Sequence, residues 1–241
     1  LSRRSLLLQG GALVVGFSLT GRDALAQPVF APVATNGFSK PVAPDQVDSF
    51  LALGADGRAT IFSGKVDLGT GIKTALAQMA AEELDLPLER VTVVQGDTAL
   101  TPDQGPTYGS LSIQKGGVEI RQAAATARTR LVRLAAERLG LPAEALVSEN
   151  GTVRPKAGGT GITYAELIKD GRLDLKIDPA VTTKDPAIFA LVGKSVARID
   201  IPEKITGRFT YMQDYRVPGM VHARVVRPPA IGAELQSVDE A

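Results

Sequence analysis

Two glycine-rich segments hold the residues best able to do chemistry. The first is Gly64-Lys65-Val66-Asp67-Leu68-Gly69-Thr70-Gly71-Ile72-Lys73-Thr74, where a strand leads into a Gly-x-Gly turn that opens a helix. Glycines let a backbone come close to a ligand. A helix N-terminus adds unpaired N–H donors and a partial positive charge. An ordinary strand-to-helix turn has the same pattern. The second segment is Gly105-Pro106-Thr107-Tyr108-Gly109-Ser110-Leu111-Ser112. The hydroxyls of Thr107, Ser110 and Ser112 and the Gly109 amide suit oxygen-rich ligands such as phosphate or pterin. Capping of the next helix by Ser110 or Ser112 is the simpler alternative. Two such loops, some 40 residues apart in a β-β-α-β-α unit, can line one pocket.

The elements that must position these loops are legible. Val47–Leu53 and Ala59–Ser63 read as strands joined by an Asp56-Gly57 turn, a hairpin. Ile72, Ala75, Leu76, Met79, Ala80 and Leu84 follow helical spacing, with Lys73, Thr74 and Glu82 mostly off that stripe. A short strand follows at Val91–Val94, then a long helix from about Gln114 to Leu139. Its expected buried stripe is Val118, Ala124, Ala127, Leu131, Leu134 and Ala135, with Arg121, Arg128, Arg130 and Arg133 on the wet side. Asn150-Gly151 marks a second hairpin, and Thr163 to Glu166 has capping-box spacing. Residues 170–192 are irregular. Strands are expected again at Phe209–Tyr211 and Met220–Val226, stopped by Pro228-Pro229.

Composition narrows the function. A net charge of +1 gives no reason to expect a nucleic-acid partner. The absence of cysteine rules out an iron–sulfur cluster or thiolate metal site on this chain, and a single histidine, His222, argues against a His-based zinc site. His222 reads as a strand residue, and Glu82, Glu83 and Glu119 read as solvated helix positions. Arg3-Arg4 precede an apolar run and an Ala24-Leu25-Ala26 cleavage site, the pattern of a twin-arginine export signal over residues 1–26. An extended lead-in, 27–46, follows. That route implies a protein folded around a cofactor before export, to the periplasm or the periplasmic face of the inner membrane.

The run from Gly64 to Leu84, then Gly96-Asp97-Thr98 through Ser112, resembles the molybdopterin-binding large subunit of the xanthine dehydrogenase/aldehyde oxidase family. The resemblance is closest to the exported branch of isoquinoline 1-oxidoreductase beta subunits and nicotinate or aldehyde dehydrogenases. Residues 193–229, including Lys204-Ile205-Thr206-Gly207 and Pro218-Gly219-Met220-Val221-His222, resemble the start of that family's α/β hammerhead domain. The resemblance implies an α+β fold: a partial molybdenum-cofactor-binding domain over 47–190, then a partial hammerhead domain over 193–241. It implies cofactor contacts at Gly69, Thr70, Gly71, Thr107, Gly109, Ser110 and Ser112 to molybdopterin in dinucleotide form. It implies a small iron–sulfur partner subunit, a c-type cytochrome as onward acceptor, and an aldehyde or N-heterocycle as the small-molecule substrate. Thr70 stands where the family has a glutamine near the molybdenum oxo group. The family's catalytic glutamate falls beyond residue 241, so no catalytic or metal-ligating residue is assigned here. A first residue other than Met, and a last segment that reads as the beginning of a strand, are the pattern expected of a partial gene product or an alternative start codon; an N-terminal fragment is expected to be inactive and poorly soluble on its own. Rival readings are an inactive truncated remnant and an exported anion-binding module.

Overall fold

A computed structural model describes residues 43–169 and 174–238. The expected signal and most of the lead-in lie outside the described residues. The described chain divides after Arg208 into two units.

The first unit is a layered α+β structure. Strands β1 (Leu51–Leu53) and β2 (Ala59–Ser63) form the expected hairpin, antiparallel with Leu51 opposite Ile61, but the first strand is shorter than expected because Val47–Ser49 is a 3-10 turn. Helix α1 (Ile72–Leu84) then crosses over, so that β3 (Val91–Gln95) lies parallel to β2 in register Ala59↔Val91 to Ser63↔Gln95. Parallel neighbours need such a crossover, and here it carries the first glycine loop at its start. Helix α2 (Val118–Leu139) packs on α1. Ala77, Ala80 and Ala81 on α1 and Ala123, Ala124 and Ala127 on α2 are all fully buried, and their small side chains permit close packing. Leu76, Leu84, Ile61 and Leu131 complete the core; each buried aliphatic side chain of this size contributes roughly 1.5–3 kcal/mol. Strands β4 (Leu146–Glu149), β5 (Thr152–Pro155) and β6 (Ile162–Thr163) form a second antiparallel sheet. Asn150 and Gly151 both have positive φ (51° and 75°), as the type I′ turn requires. Helix α3 (Tyr164–Ile168) begins with the expected Thr163–Glu166 capping box.

Several expectations are corrected. The long helix opens with a π-helical turn, Ser112–Gly117, and Val118 is 55% exposed rather than buried. The wide turn is seated by Gly116 and Gly117. A Cβ at Gly117 would lie 2.6 Å from Met79 Cε, and one at Gly116 would lie 3.0 Å from Lys65 Cγ. Glu82 and Glu83 are buried, not solvated. Arg121 leaves the wet side to pair with Glu83, its Nη2 2.6 Å from Oε1, and Arg128 lies 3.8 Å from the other carboxylate oxygen. Glu119, by contrast, is exposed and accepts from Gln104.

Glu82 and Glu83 explain how the irregular stretch after 174 is held. Thr74, Gln78 and Glu82 recur every four residues on α1 and so share one face. Glu82 accepts from the Leu191 and Val192 amides, Gln78 donates to the Leu191 and Lys194 carbonyls, and Thr74 Oγ1 accepts from the Ile199 amide. Glu83 accepts from the Lys184 amide. The strap therefore runs antiparallel to α1 and delivers residues 198–200, followed by the short helix α4 (Ile201–Ile205), to the first glycine loop.

The second unit, described over residues 209–238, is extended. It has one 3-10 turn, Met212–Asp214, and an edge-to-face contact between Phe209 and Tyr211. The strands expected at Phe209–Tyr211 and Met220–Val226 do not form. A strand needs a neighbour for its ladder, and no segment among the described residues pairs with either.

Candidate functional site

The two glycine-rich loops meet. A cavity of about 480 Å³ is lined on one side by Val66, Leu68, Thr70, Gly71, Ile72 and Ala75. Its other side is formed by Thr107, Tyr108, Gly109, Ser110, Ser112 and Ile113. Six of the seven residues singled out from sequence line it; Gly69 does not, and its carbonyl instead accepts from Arg198.

The first loop is organised by a residue that sequence reasoning passed over. Asp67 Oδ1 accepts from the Gly69 and Gly71 amides at 2.8 and 3.2 Å, and Oδ2 accepts from the Lys73 amide at 3.2 Å. Gly71 precedes the helix with φ 84° and no side chain to cap it, so Asp67 caps α1 from a distance. Burial acts to raise the Asp67 pKa, but the Lys73, Gly69 and Gly71 amides outweigh it and hold the carboxyl below its ordinary value. Three of the amides at this helix start, those of Gly69, Gly71 and Lys73, are thus already satisfied by an internal carboxylate. Asp-x-Gly spacing, in which Asp bonds the amide two residues on, was the available signal.

Arg198 braces the same loop from outside. Its Nη1 donates to the Gly69 carbonyl, while Nε and Nη2 hold both oxygens of Asp200 at 3.0 and 2.7 Å. Hydrogen bonds from Arg198 and then Lys204 keep the Asp200 carboxyl far below the usual carboxylate range. A Cβ at Gly71 would stand 3.1 Å from Arg198 Nε, so both φ and space require glycine there.

The second loop turns tightly at Tyr108–Leu111. Gly109 and Ser110 both have φ near 60°, and the Leu111 amide donates to the Tyr108 carbonyl. Neither serine caps the helix that follows. Among the described residues the hydroxyls of Thr70, Ser110 and Ser112 have no partner within the chain, which leaves them free to meet a ligand.

A four-residue zipper joins the loops just below the cavity. Ser63 Oγ and the Gly64 amide donate to Gln104 Oε1, whose amide end donates to Gly116 O. Lys65 Nζ donates to the Gly105 and Pro106 carbonyls, and the Val66 amide donates to Thr107 Oγ1. The motifs give no sign of the role of Gln104 and Lys65, which is to hold backbone.

The lining is apolar apart from hydroxyls and backbone, and it contains no cation. It fits a flat, largely uncharged ring system with acceptor atoms at its edge better than a bare polyanion. Among the described residues no cluster of three His, Cys, Asp or Glu is arranged to hold a metal.

Comparison with known proteins places this chain in a family. Residues 28–193 match the molybdopterin cofactor-binding domain. The chain is 42% identical to a nicotinate dehydrogenase component of Pseudomonas putida over 99% of its own length and 20% of the relative's. It is 27% identical to the isoquinoline 1-oxidoreductase β-chain of Brevundimonas diminuta, over 100% of this chain and 35% of the relative. Among solved structures, quinoline 2-oxidoreductase from Pseudomonas putida 86 aligns at 32% identity and a TM-score of 0.42, covering 48% of this chain and 15% of that one. The chain therefore spans between a fifth and about a third of the length of these two curated relatives. With the family model matching well over half of its residues, this chain belongs to the molybdopterin cofactor-binding domain family, within the molybdenum-dependent xanthine dehydrogenase group.

Proposed function

We propose that the cavity between the 66–75 and 107–113 segments receives part of the molybdenum cofactor, in its dinucleotide form. The observation that carries this reading is the convergence of both loops on one cavity. Thr70, Thr107, Ser110 and Ser112 supply hydroxyls at its polar edge, while Val66, Ile72 and Ala75 exclude water from its floor. Gly69 contributes by shape, through its bond to Arg198. The cofactor supplies oxidative hydroxylation chemistry; the residues of this chain bind, orient and desolvate. The hydroxyl of Thr70 is shorter than the family's glutamine and offers a single donor in that place.

The reading extends to the gene product that carries this chain. It is a molybdenum hydroxylase acting on an aldehyde or an electron-poor N-heterocycle, in keeping with what its relatives are named for. Its electrons leave through an iron–sulfur partner subunit, since this chain has no cysteine, and pass to a c-type cytochrome. Residues 193–241 begin a hammerhead domain. Arg3-Arg4 and Ala24-Leu25-Ala26 direct export to the periplasm. The test is elemental and pterin analysis of the purified gene product. About one molybdenum and one pterin per polypeptide is expected; neither, in protein from a molybdenum-replete host that makes the cofactor, refutes the assignment.

A further inference from the structure

We propose that Lys65 is a positioning residue that sets Thr107 as a double donor at the cavity wall. This rests on the reading of the cavity as a cofactor site.

Lys65 is 2% exposed, yet among the described residues no carboxylate pairs with its ammonium. It is held by two carbonyl oxygens, Gly105 at 3.3 Å and Pro106 at 2.9 Å. A buried charge without a counterion is costly, so the position has a use for it. That use follows from the planarity of the peptide bond. With the Pro106 carbonyl drawn onto Lys65 Nζ, the N–H of the same trans peptide, that of Thr107, points the opposite way. The preceding peptide has no N–H, because residue 106 is proline. Thr107 is thus the one residue of this latch, formed by Lys65 on the Gly105 and Pro106 carbonyls and Val66 on Thr107, whose amide Lys65 orients.

Val66 constrains the other proton. Its amide donates to Thr107 Oγ1 at 3.1 Å, which fills an acceptor position on the hydroxyl and leaves the hydroxyl proton to be given away. Neither the amide nor the hydroxyl proton of Thr107 has an acceptor among the described residues, and Thr107 lines the cavity. One residue therefore offers two donors to an oxygen acceptor of the ligand. Gly116 makes room for the arrangement, since a Cβ there would press on Lys65 Cγ at 3.0 Å.

The experiment compares Lys65→Met, Thr107→Val and Thr107→Ser in the purified gene product, with two readouts. The first is hydrogen exchange in cofactor-free protein. Lys65→Met is expected to speed exchange at the Val66 amide at least tenfold while leaving Ile61 and Val93, in the β2–β3 ladder, unchanged. Thr107→Val should do the same and Thr107→Ser should not. The second is molybdenum per polypeptide after purification, expected to fall at least fivefold in Lys65→Met and Thr107→Val and to be kept in Thr107→Ser. Unchanged exchange at Val66 in Lys65→Met overturns the latch. Full molybdenum in Lys65→Met or Thr107→Val, beside a loaded parent, overturns the donor role. A parent that carries no molybdenum sinks the cofactor reading itself, while the exchange experiment still decides whether Lys65 positions Thr107.

Discussion

Replacing Glu83 by alanine should cost the first unit several kcal/mol, about 3–5. The carboxylate is fully buried. It accepts from Arg121 Nε and Nη2 at 2.9 and 2.6 Å and from the Lys184 amide at 3.2 Å. Arg121 in turn reaches the Lys184 carbonyl and lies 5.2 Å from the Phe189 ring centre. Removing the carboxylate leaves a largely buried guanidinium and a strap amide without their acceptor. Removing one partner of such a pair costs about 3–5 kcal/mol, because the remaining charge stays buried and uncompensated. At roughly 2–4 °C per kcal/mol for a unit of this size, melting should fall by about 6–20 °C. Glu83→Gln keeps one acceptor and should lose less, about 1–3 kcal/mol. Glu83→Met combined with Arg121→Leu should recover much of the deficit, since that charge is then no longer stranded. Chemical denaturation with melting curves for all three variants gives the result. A loss below about 1 kcal/mol in Glu83→Ala would show that the strap and α1 hold together without this pair and would refute the reasoning.

Asp67→Asn keeps an acceptor for the Gly69 and Gly71 amides but turns an N–H₂ toward the Lys73 amide. One unmet amide is worth about 1 kcal/mol, so exchange at Lys73 should rise about fivefold; unchanged exchange there would deny Asp67 its capping role. Because the Asp67 pKa is lowered by folding, its stabilisation is fully present above its ordinary value of 3.8 and lost as pH falls through its folded value. Below about pH 4, then, the parent should lose stability with falling pH more steeply than Asp67→Asn, as an acid titration of unfolding will read. Thr163→Ala removes the cap bond from the Glu166 amide and should cost about 1 kcal/mol in denaturant titration, with Thr163→Ser near neutral.

What was legible in the sequence was whatever repeats or punctuates. The apolar spacing of Ile72, Leu76, Met79 and Ala80 located α1, the β-branched run at 91–94 located β3, and Asn150-Gly151 fixed the second hairpin. The convergence of the two loops was also within reach, because a β-β-α-β-α order puts both helix openings at the same ends of parallel strands. What periodicity cannot carry is the polar interior. Glu82, Glu83 and Arg121 sit at positions a solvated face would also fill; only strap residues 184–192, distant in sequence from all three, make them interior. The expected strands at 209–211 and 220–226 failed for a related reason, since β-propensity describes fitness for a sheet and not the presence of a partner.

The largest revision concerns how the first loop meets its ligand. A Gly-x-Gly turn at a helix start invites the inference that its amides bind an anion. Here Asp67 occupies the Gly69, Gly71 and Lys73 amides, and Arg198 takes up the Gly69 carbonyl. The loop is therefore braced from within the chain, and a braced loop lowers the ordering cost of binding. The groups these bonds leave over at the cavity include the Thr70 hydroxyl from the first loop, and Thr107, Ser110 and Ser112 from the second. Hydroxyls rotate to suit an acceptor where fixed amides cannot. A site built this way holds its shape through its backbone and reads its ligand through side chains, so substitutions at Asp67 and Arg198 should change how firmly the cavity is formed, while substitutions at Thr70 and Thr107 should change what it accepts.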